Sequence, residues 1–165
     1  MDMPADYTWK NDVNILLGGA AGQGIQTIDQ GLTQLLKQAG FHIFATKEYM
    51  SRIRGGSNST RIRVASQPVA APLDRIDLFV PLDDAAFQRY APTLNPASLV
   101  LGDREQLPDD ATLIDLPLTA LAEQAGDRLY ASSVAIGAVL GLLGVSPELL
   151  KEFLAQRFAD QPSEV

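Results

Sequence analysis

A single open α/β domain, with a mostly parallel or mixed sheet flanked by helices, is the fold class this sequence predicts. Three observations predict it. Residues 13–17 are a short apolar run of strand length, and a glycine-rich turn follows them. From Ile25 the apolar residues Ile25, Ile28, Leu32, Leu35, Leu36 and Ala39 recur at helical spacing, and Gly40 stands where a C-terminal cap belongs. A second apolar run, 41–46, then closes a strand–helix–strand unit, which favours a parallel pair of strands.

The remaining elements follow in order. Residues 60–65 alternate Arg61, Arg63 and Ala65 with Ile62 and Val64, so they read as a strand with its arginines on one face. Pro68 and Pro72 bracket a loop, and residues 75–81 form a short buried strand ended by Pro81. Asp83 or Asp84 caps a helix over 85–90. Further strands are expected at 98–101 and 112–115, and Pro117 starts a helix over 118–124. Ser132 and Ser133 are expected to cap an apolar helix over 134–143, which should be buried on most sides. Gly137 and Gly141, four apart, leave a groove in which another backbone can lie close. Ser146, Pro147 and Glu148 start the last helix, 149–158. The domain therefore spans residues 13–158, between an N-terminal arm (1–12) whose Tyr7 and Trp9 could pack back on the body and a polar tail or linker (159–165). The predicted core is Ile15, Leu17, Ile28, Leu32, Leu35, Ile43, Ile62, Val64, Leu78, Val80, Val100, Ile114, Ile136 and Leu140.

Composition narrows the function. The 165 residues carry a net charge of −7, which argues against nucleic acid as the main partner. The chain has no cysteine and one histidine. Disulfides, a thiolate nucleophile and ligands for an ordinary iron–sulfur cluster are thereby excluded, and a histidine metal site is disfavoured. His42 reads as a strand-end residue. The polar start carries no secretory signal, and the longest apolar stretch, 134–145, is too short for a bilayer of roughly 30 Å. No membrane partner is expected, and the expected location is cytoplasmic.

Two segments carry candidate chemistry. The glycine turn leaves backbone N–H groups at the positive end of a helix, where an anion is stabilised. Its glycines, Gly19, Gly22 and Gly24, match neither the dinucleotide fingerprint nor a P-loop, so close helix–sheet packing explains them equally well. The second segment, 47–65, holds five of the thirteen basic residues: Lys47, Arg52, Arg54, Arg61 and Arg63. It could be a solvated strand face beside a loop. A cationic patch on an acidic chain, built around Arg52, Arg54, Gly55, Gly56 and Ser57, favours a ligand or subunit contact instead, because arginine forks suit phosphates and carboxylates. Asp83 and Asp84 are read as helix caps and Glu48 as an ion-pair partner of Lys47, so no general acid–base pair stands out.

The turn at Gly18, Gly19, Ala20, Ala21, Gly22, Gln23 and Gly24, the run Ser51-Arg52-Ile53-Arg54-Gly55-Gly56-Ser57, and Arg75-Ile76-Asp77-Leu78 downstream together resemble the gamma domain of the 2-oxoacid:ferredoxin (acceptor) oxidoreductases. The likeness is closest to the version fused at the N-terminus of the alpha subunit in 2-oxoglutarate-type enzymes, and it covers about residues 12–160. The resemblance implies an oxidoreductase complex that decarboxylates a 2-oxoacid such as 2-oxoglutarate or pyruvate oxidatively to an acyl-CoA. Such a complex uses thiamine diphosphate with magnesium and passes electrons through iron–sulfur clusters to ferredoxin. Those cofactors would lie in the catalytic alpha and beta subunits or domains; this chain alone binds none, and it would be inactive by itself. The resemblance further implies a contribution to the coenzyme A site, mapped onto Gly19, Gly22, Gln23, Gly24, Arg52, Arg54, Gly55, Gly56 and Ser57, with subunit docking as the other use of the same loop. Two other readings stand beside it: a stand-alone flavin- or nicotinamide-nucleotide module, and a purely structural assembly domain.

Overall fold

In the computed structural model, which describes residues 12–49, 57–108 and 113–157, the first strand outruns its apolar core. β1 covers Asp12–Ala20. Gly18, Gly19 and Ala20 stay in register against β3 (Ser57–Ala65), opposite Ser59, Asn58 and Ser57. Gly18 serves packing: a Cβ there would stand 3.1 Å from Ala86 Cβ and 3.4 Å from the Phe79 ring. The turn proper is residues 21–24. Helix α1 (Ile25–Gln38) follows, burying Ile25, Ile28, Leu32, Leu35 and Leu36, as the spacing predicts. It ends at Gly40, φ +91°, with Gly40 N–H on Lys37 O (3.0 Å) and Phe41 N–H on Leu36 O (3.0 Å). These are the paired bonds that close a helix through a left-handed glycine.

The sheet has the order β2-β3-β1-β4-β5-β6, with β2 at His42–Glu48, β4 at Leu78–Pro81, β5 at Leu99–Gly102 and β6 at Ile114–Asp115. β1, β4, β5 and β6 run parallel, and β3 lies antiparallel between β1 and β2. The strand–helix–strand expectation is corrected in one respect. β1 and β2 point the same way, but β3 folds back into the place beside β1, so the two are not neighbours.

Strand alternation divides the core between two faces. Val13, Ile15, Leu17, Ile62, Val64, Leu78 and Val80 meet α1, α4 (Ala131–Leu142) and α5 (Pro147–Arg157) on one side. Leu16, Phe79 and Val100 meet Tyr90 of α2 (Asp84–Tyr90) on the other. Each fully buried Leu or Ile contributes about 2 kcal/mol by leaving water, so this alternation fixes which way every central strand faces. Ile43 and Ile114 depart from the predicted core: both are half-buried, because β2 and the two-residue β6 are the edge strands and are covered on fewer sides. Tyr7 and Trp9 lie outside the described residues.

Two expectations about helix ends change, and a third is narrowed to one of its two residues. Asp83, not Asp84, is the cap of α2, its Oδ1 accepting from Ala86 N–H at 2.8 Å. Pro117 occupies the N-cap of α3 (Leu118–Gln124) rather than its first turn. α4 starts early enough that Ser132 and Ser133 fall within its first turn, and Tyr130 precedes it with no side-chain cap. The ring of apolar residues on α4 is also less enclosed than expected. Ala135, Ile136, Val139 and Leu140 are buried, whereas Gly141 is exposed. At Gly137 the close neighbour is the Leu150 side chain, 3.2 Å from where a Cβ would sit, rather than another backbone. Among the described residues no helix is long and apolar enough to cross a membrane.

Candidate functional site at the glycine turn

β1 and β4 are adjacent parallel strands whose following helices leave on opposite faces of the sheet, α1 on one and α2 on the other. Open α/β sheets bind ligands at the carboxyl ends of strands at such a divergence. A cavity of about 630 Å³ lies there. Its walls are Gly22, Gln23 and Gly24 after β1, Pro81 and Leu82 after β4, Asp103 and Gln106 after β5, Thr119 at the start of α3, and Arg128 to Ser133 at the start of α4.

The electrostatics of the walls come from helix ends. α1 begins at Gly24 with φ +84°, no side-chain cap and no acid in its first turn. Ile28 N–H is bonded to Gly24 O at 2.9 Å, the first bond of the helical ladder. α4 differs: it continues without a break from a 3₁₀ turn, Arg128–Tyr130, whose N-cap Asp127 accepts from Leu129 N–H at 2.9 Å, and Ala131 N–H is bonded to Arg128 O. One uncapped helix amino end, that of α1, thus opens on the cavity and carries roughly half a positive charge. Hydroxyls of Thr27, Thr119, Ser132 and Ser133 border it. Gly24 is doubly constrained: its φ is left-handed, and a Cβ there would run into Ser132 Oγ.

Hydrogen bonds tie the turn to β4. Ala20 N–H is shared by Gln23 Oε1 (2.7 Å) and Asp83 Oδ2 (2.8 Å). Leu82 N–H meets Gly18 O at 2.8 Å. Asp83 therefore clasps the strand end while capping α2, a role that goes beyond capping.

The sequence-predicted residues divide cleanly. Gly19, Gly22, Gln23 and Gly24 come together at the turn, although Gly19 belongs to β1. The backbone of Ser57 lies opposite Ala20 in the β1–β3 ladder, so the start of β3 stands beside the turn. Arg52, Arg54, Gly55 and Gly56 lie outside the described residues.

The other cations of the expected patch are engaged inside the fold. Arg63 holds Asp12 through two bonds, Nε to Oδ1 at 3.0 Å and Nη2 to Oδ2 at 2.8 Å, and also reaches Ala71 O. Arg61 donates to Asp74 O at 3.3 Å. Lys47 does not pair with Glu48, because successive strand residues face opposite ways. It meets the buried Asp29 of α1 at 2.6 Å, while Glu48 lies 3.5 Å from Arg89. The hydrogen bond to Asp29 raises the Lys47 pKa above its ordinary value, against a smaller desolvation effect.

Sequence reasoning missed Asp103, Arg128, Ser132 and Ser133 as cavity residues. Only the serine pair left a trace, as hydroxyls at the head of an apolar helix. Arg128 is held by Glu123, and the Asp103 carboxylate accepts from Glu105 N–H at 3.0 Å.

The cavity residues suit a polyanion with polar attachments, whereas they do not fit a metal cofactor. Among the described residues no group of three or more His, Cys, Asp or Glu could hold a metal ion, and the chain has no cysteine for a cluster.

Comparison with known proteins bears on the same residues. A family model described as pyruvate ferredoxin/flavodoxin oxidoreductase matches residues 14–165. The 2-oxoglutarate synthase subunit KorC of Archaeoglobus fulgidus is 28% identical over 148 residues, covering 88% of this chain and 79% of that one. The fold matches the 2-oxoglutarate:ferredoxin oxidoreductase from Magnetococcus marinus, solved with 2-oxoglutarate, coenzyme A and succinyl-CoA bound, at a TM-score of 0.78 and 21% identity, over 92% of this chain and 28% of that one. It also matches the keto/oxoacid ferredoxin oxidoreductase gamma subunit from Geobacter sulfurreducens at a TM-score of 0.71 and 22% identity, over 88% of this chain and 86% of that one. The same fold thus occurs as a separate subunit and as about a quarter of a longer chain.

Proposed function

The chain belongs to the pyruvate ferredoxin/flavodoxin oxidoreductase family, and from that premise we propose that it acts as the gamma-type component of a 2-oxoacid:ferredoxin oxidoreductase complex, contributing to the coenzyme A site and to assembly. The complex oxidatively decarboxylates a 2-oxoacid, with 2-oxoglutarate the best-supported choice through the relative of that name. The acyl group passes to coenzyme A and the electrons to ferredoxin. Thiamine diphosphate, its magnesium and the iron–sulfur clusters belong to catalytic alpha and beta partners, since this chain offers no cluster ligands.

One observation carries the coenzyme A assignment: the amino end of α1, without a side-chain cap or first-turn acid, opens on the cavity. A diphosphate or 3′-phosphate is the kind of charge such an end stabilises. Arg52 and Arg54, which precede β3 in the sequence, would add forked donors to those phosphates. In this reading the chain binds and orients the coenzyme A nucleotide while the reacting thiol extends to the partner.

The test is affinity capture of the full chain from its native cells, followed by identification of bound proteins and assays for thiamine and iron. A larger partner carrying both is the expected result. Recovery of the chain alone with a tightly bound flavin or nicotinamide nucleotide would overturn the assignment and favour a stand-alone nucleotide module.

A further inference from the structure

Gln23 occupies an unusual position in the turn. Its Oε1 shares the single Ala20 N–H with Asp83 Oδ2, at 2.7 and 2.8 Å. One hydrogen cannot point well at two acceptors, and the two oxygens repel each other. The other end of the carboxamide is weakly held, with Nε2 3.5 Å from Leu82 O. Gln23 is nevertheless given room to fold back. Gly19, an extended strand residue with no positive φ, lies beneath it, and a Cβ at Gly19 would stand 2.6 Å from Gln23 Oε1 and 3.0 Å from Leu82 Cβ. The glycine at 19 therefore serves as space for the folded-back side chain, whereas Gly24 serves backbone conformation. Gln23 is exposed and borders the cavity, so it can turn outward without disturbing the core. Asp83, fixed by its own bond to Ala86 N–H, keeps Ala20 N–H satisfied when it does.

We propose that Gln23 is a displaceable latch: it lies back on Ala20 and Leu82, and turns into the cavity to donate its Nε2–H to a phosphate or carbonyl oxygen of the ligand. The ligand's identity rests on the coenzyme A reading above; the latch itself rests on Gly19, Ala20, Gln23 and Asp83. An amide suits this task where a carboxylate would not. Glutamate at 23 would bring a second negative charge to the Ala20 N–H and would repel the anion.

The assembled complex provides the test, through its KM for coenzyme A. Gln23→Ala removes the donor and is expected to raise that KM about fivefold. Gly19→Ala evicts the folded-back side chain while leaving its donor free, and is expected to lower the KM about twofold. The double variant should match Gln23→Ala. Opposite signs distinguish a latch from a staple. If both single variants raise the KM, Gln23 merely braces the turn and the proposal falls; it falls equally if neither changes it. In either case Gly24→Val separates the two readings: a raised KM in Gly24→Val leaves the coenzyme A site standing without the latch, and an unchanged KM removes both. If Gly19→Ala does not fold, hydrogen exchange at Ala20 in the Gln23→Ala chain decides. Retained protection shows Asp83 holding the N–H alone, as the latch requires, whereas lost protection overturns it.

Discussion

Helices α1 and α2 follow adjacent parallel strands and start at the same edge of the sheet, yet their amino ends are finished in opposite ways. α2 is closed. Asp83 caps it through Ala86 N–H, and Asp84 adds an acid to its first turn. α1 is open, led by a left-handed glycine with neither cap nor acid. A capped end has its N–H groups and partial charge answered within the chain; an uncapped one leaves them for something else. α4 is answered too, because Asp127 caps the turn that runs directly into it. The contrast agrees with the proposed ligand end: the open end of α1 faces the cavity, and Asp83, the cap of α2, does not border it.

The largest effect should come from filling the open end. Gly24→Val places a β-branched residue at φ +84° and drives its Cβ into Ser132. A loss of about 2–4 kcal/mol in stability is expected, together with at least a tenfold rise in the coenzyme A KM of the assembled complex. A folded Gly24→Val complex with normal coenzyme A use would erase the distinction between α1 and α2.

Uncapping the closed end should do less. Asp83→Ala removes the α2 cap and one acceptor of Ala20 N–H, at a cost of about 1–2 kcal/mol in urea denaturation. Ala20 keeps Gln23 as a partner, so coenzyme A use should fall by less than in Gly24→Val. A larger loss of coenzyme A use than in Gly24→Val would place the functional end at α2.

The smallest effect concerns ion pairs within the fold that do not take part in capping either end. Asp12 is held below its ordinary pKa, chiefly by its hydrogen bond from Arg63. Its contribution to stability is therefore complete above the unfolded value of about 3.9 and is lost as pH falls through the lower folded value. Lys47 is raised by Asp29, so its contribution is present below the unfolded value of about 10.4 and is lost as pH rises through the folded one. Melting temperature against pH should decline at both extremes, and Asp12→Asn should flatten only the acid side. A full-sized acid decline in Asp12→Asn would assign that slope to other carboxylates.

Much of the fold was legible because local rules dictate it. The spacing from Ile25 to Ala39 and the glycine at 40 placed α1 and its end almost to the residue. Alternation placed β3, and the turn after β1 marked the carboxyl edge of the sheet. What misled were features whose meaning depends on distant neighbours. Gly18 and Gly19 look like turn residues, but they are strand residues kept small by α2 and by Gln23. The Arg61–Arg63 stripe looks like part of a binding patch, yet the structure uses those arginines on Asp12, Ala71 O and Asp74 O. Lys47 was assigned the wrong carboxylate because Asp29 lies eighteen residues away in sequence and becomes its neighbour only when α1 packs over β2.

By itself, then, the amino-acid sequence determined the α/β class, the strand–turn–helix opening and the absence of cluster ligands, since periodicity, glycine conformation and residue chemistry act over a few positions. Tertiary structure decided that β3 lies between β1 and β2, that Asp83 closes one helix end, and that α4 brings Ser132 against Gly24. Those outcomes depend on which buried faces meet, and side chains far apart in the chain acquire a shared electrostatic role only once the sheet and helices have packed.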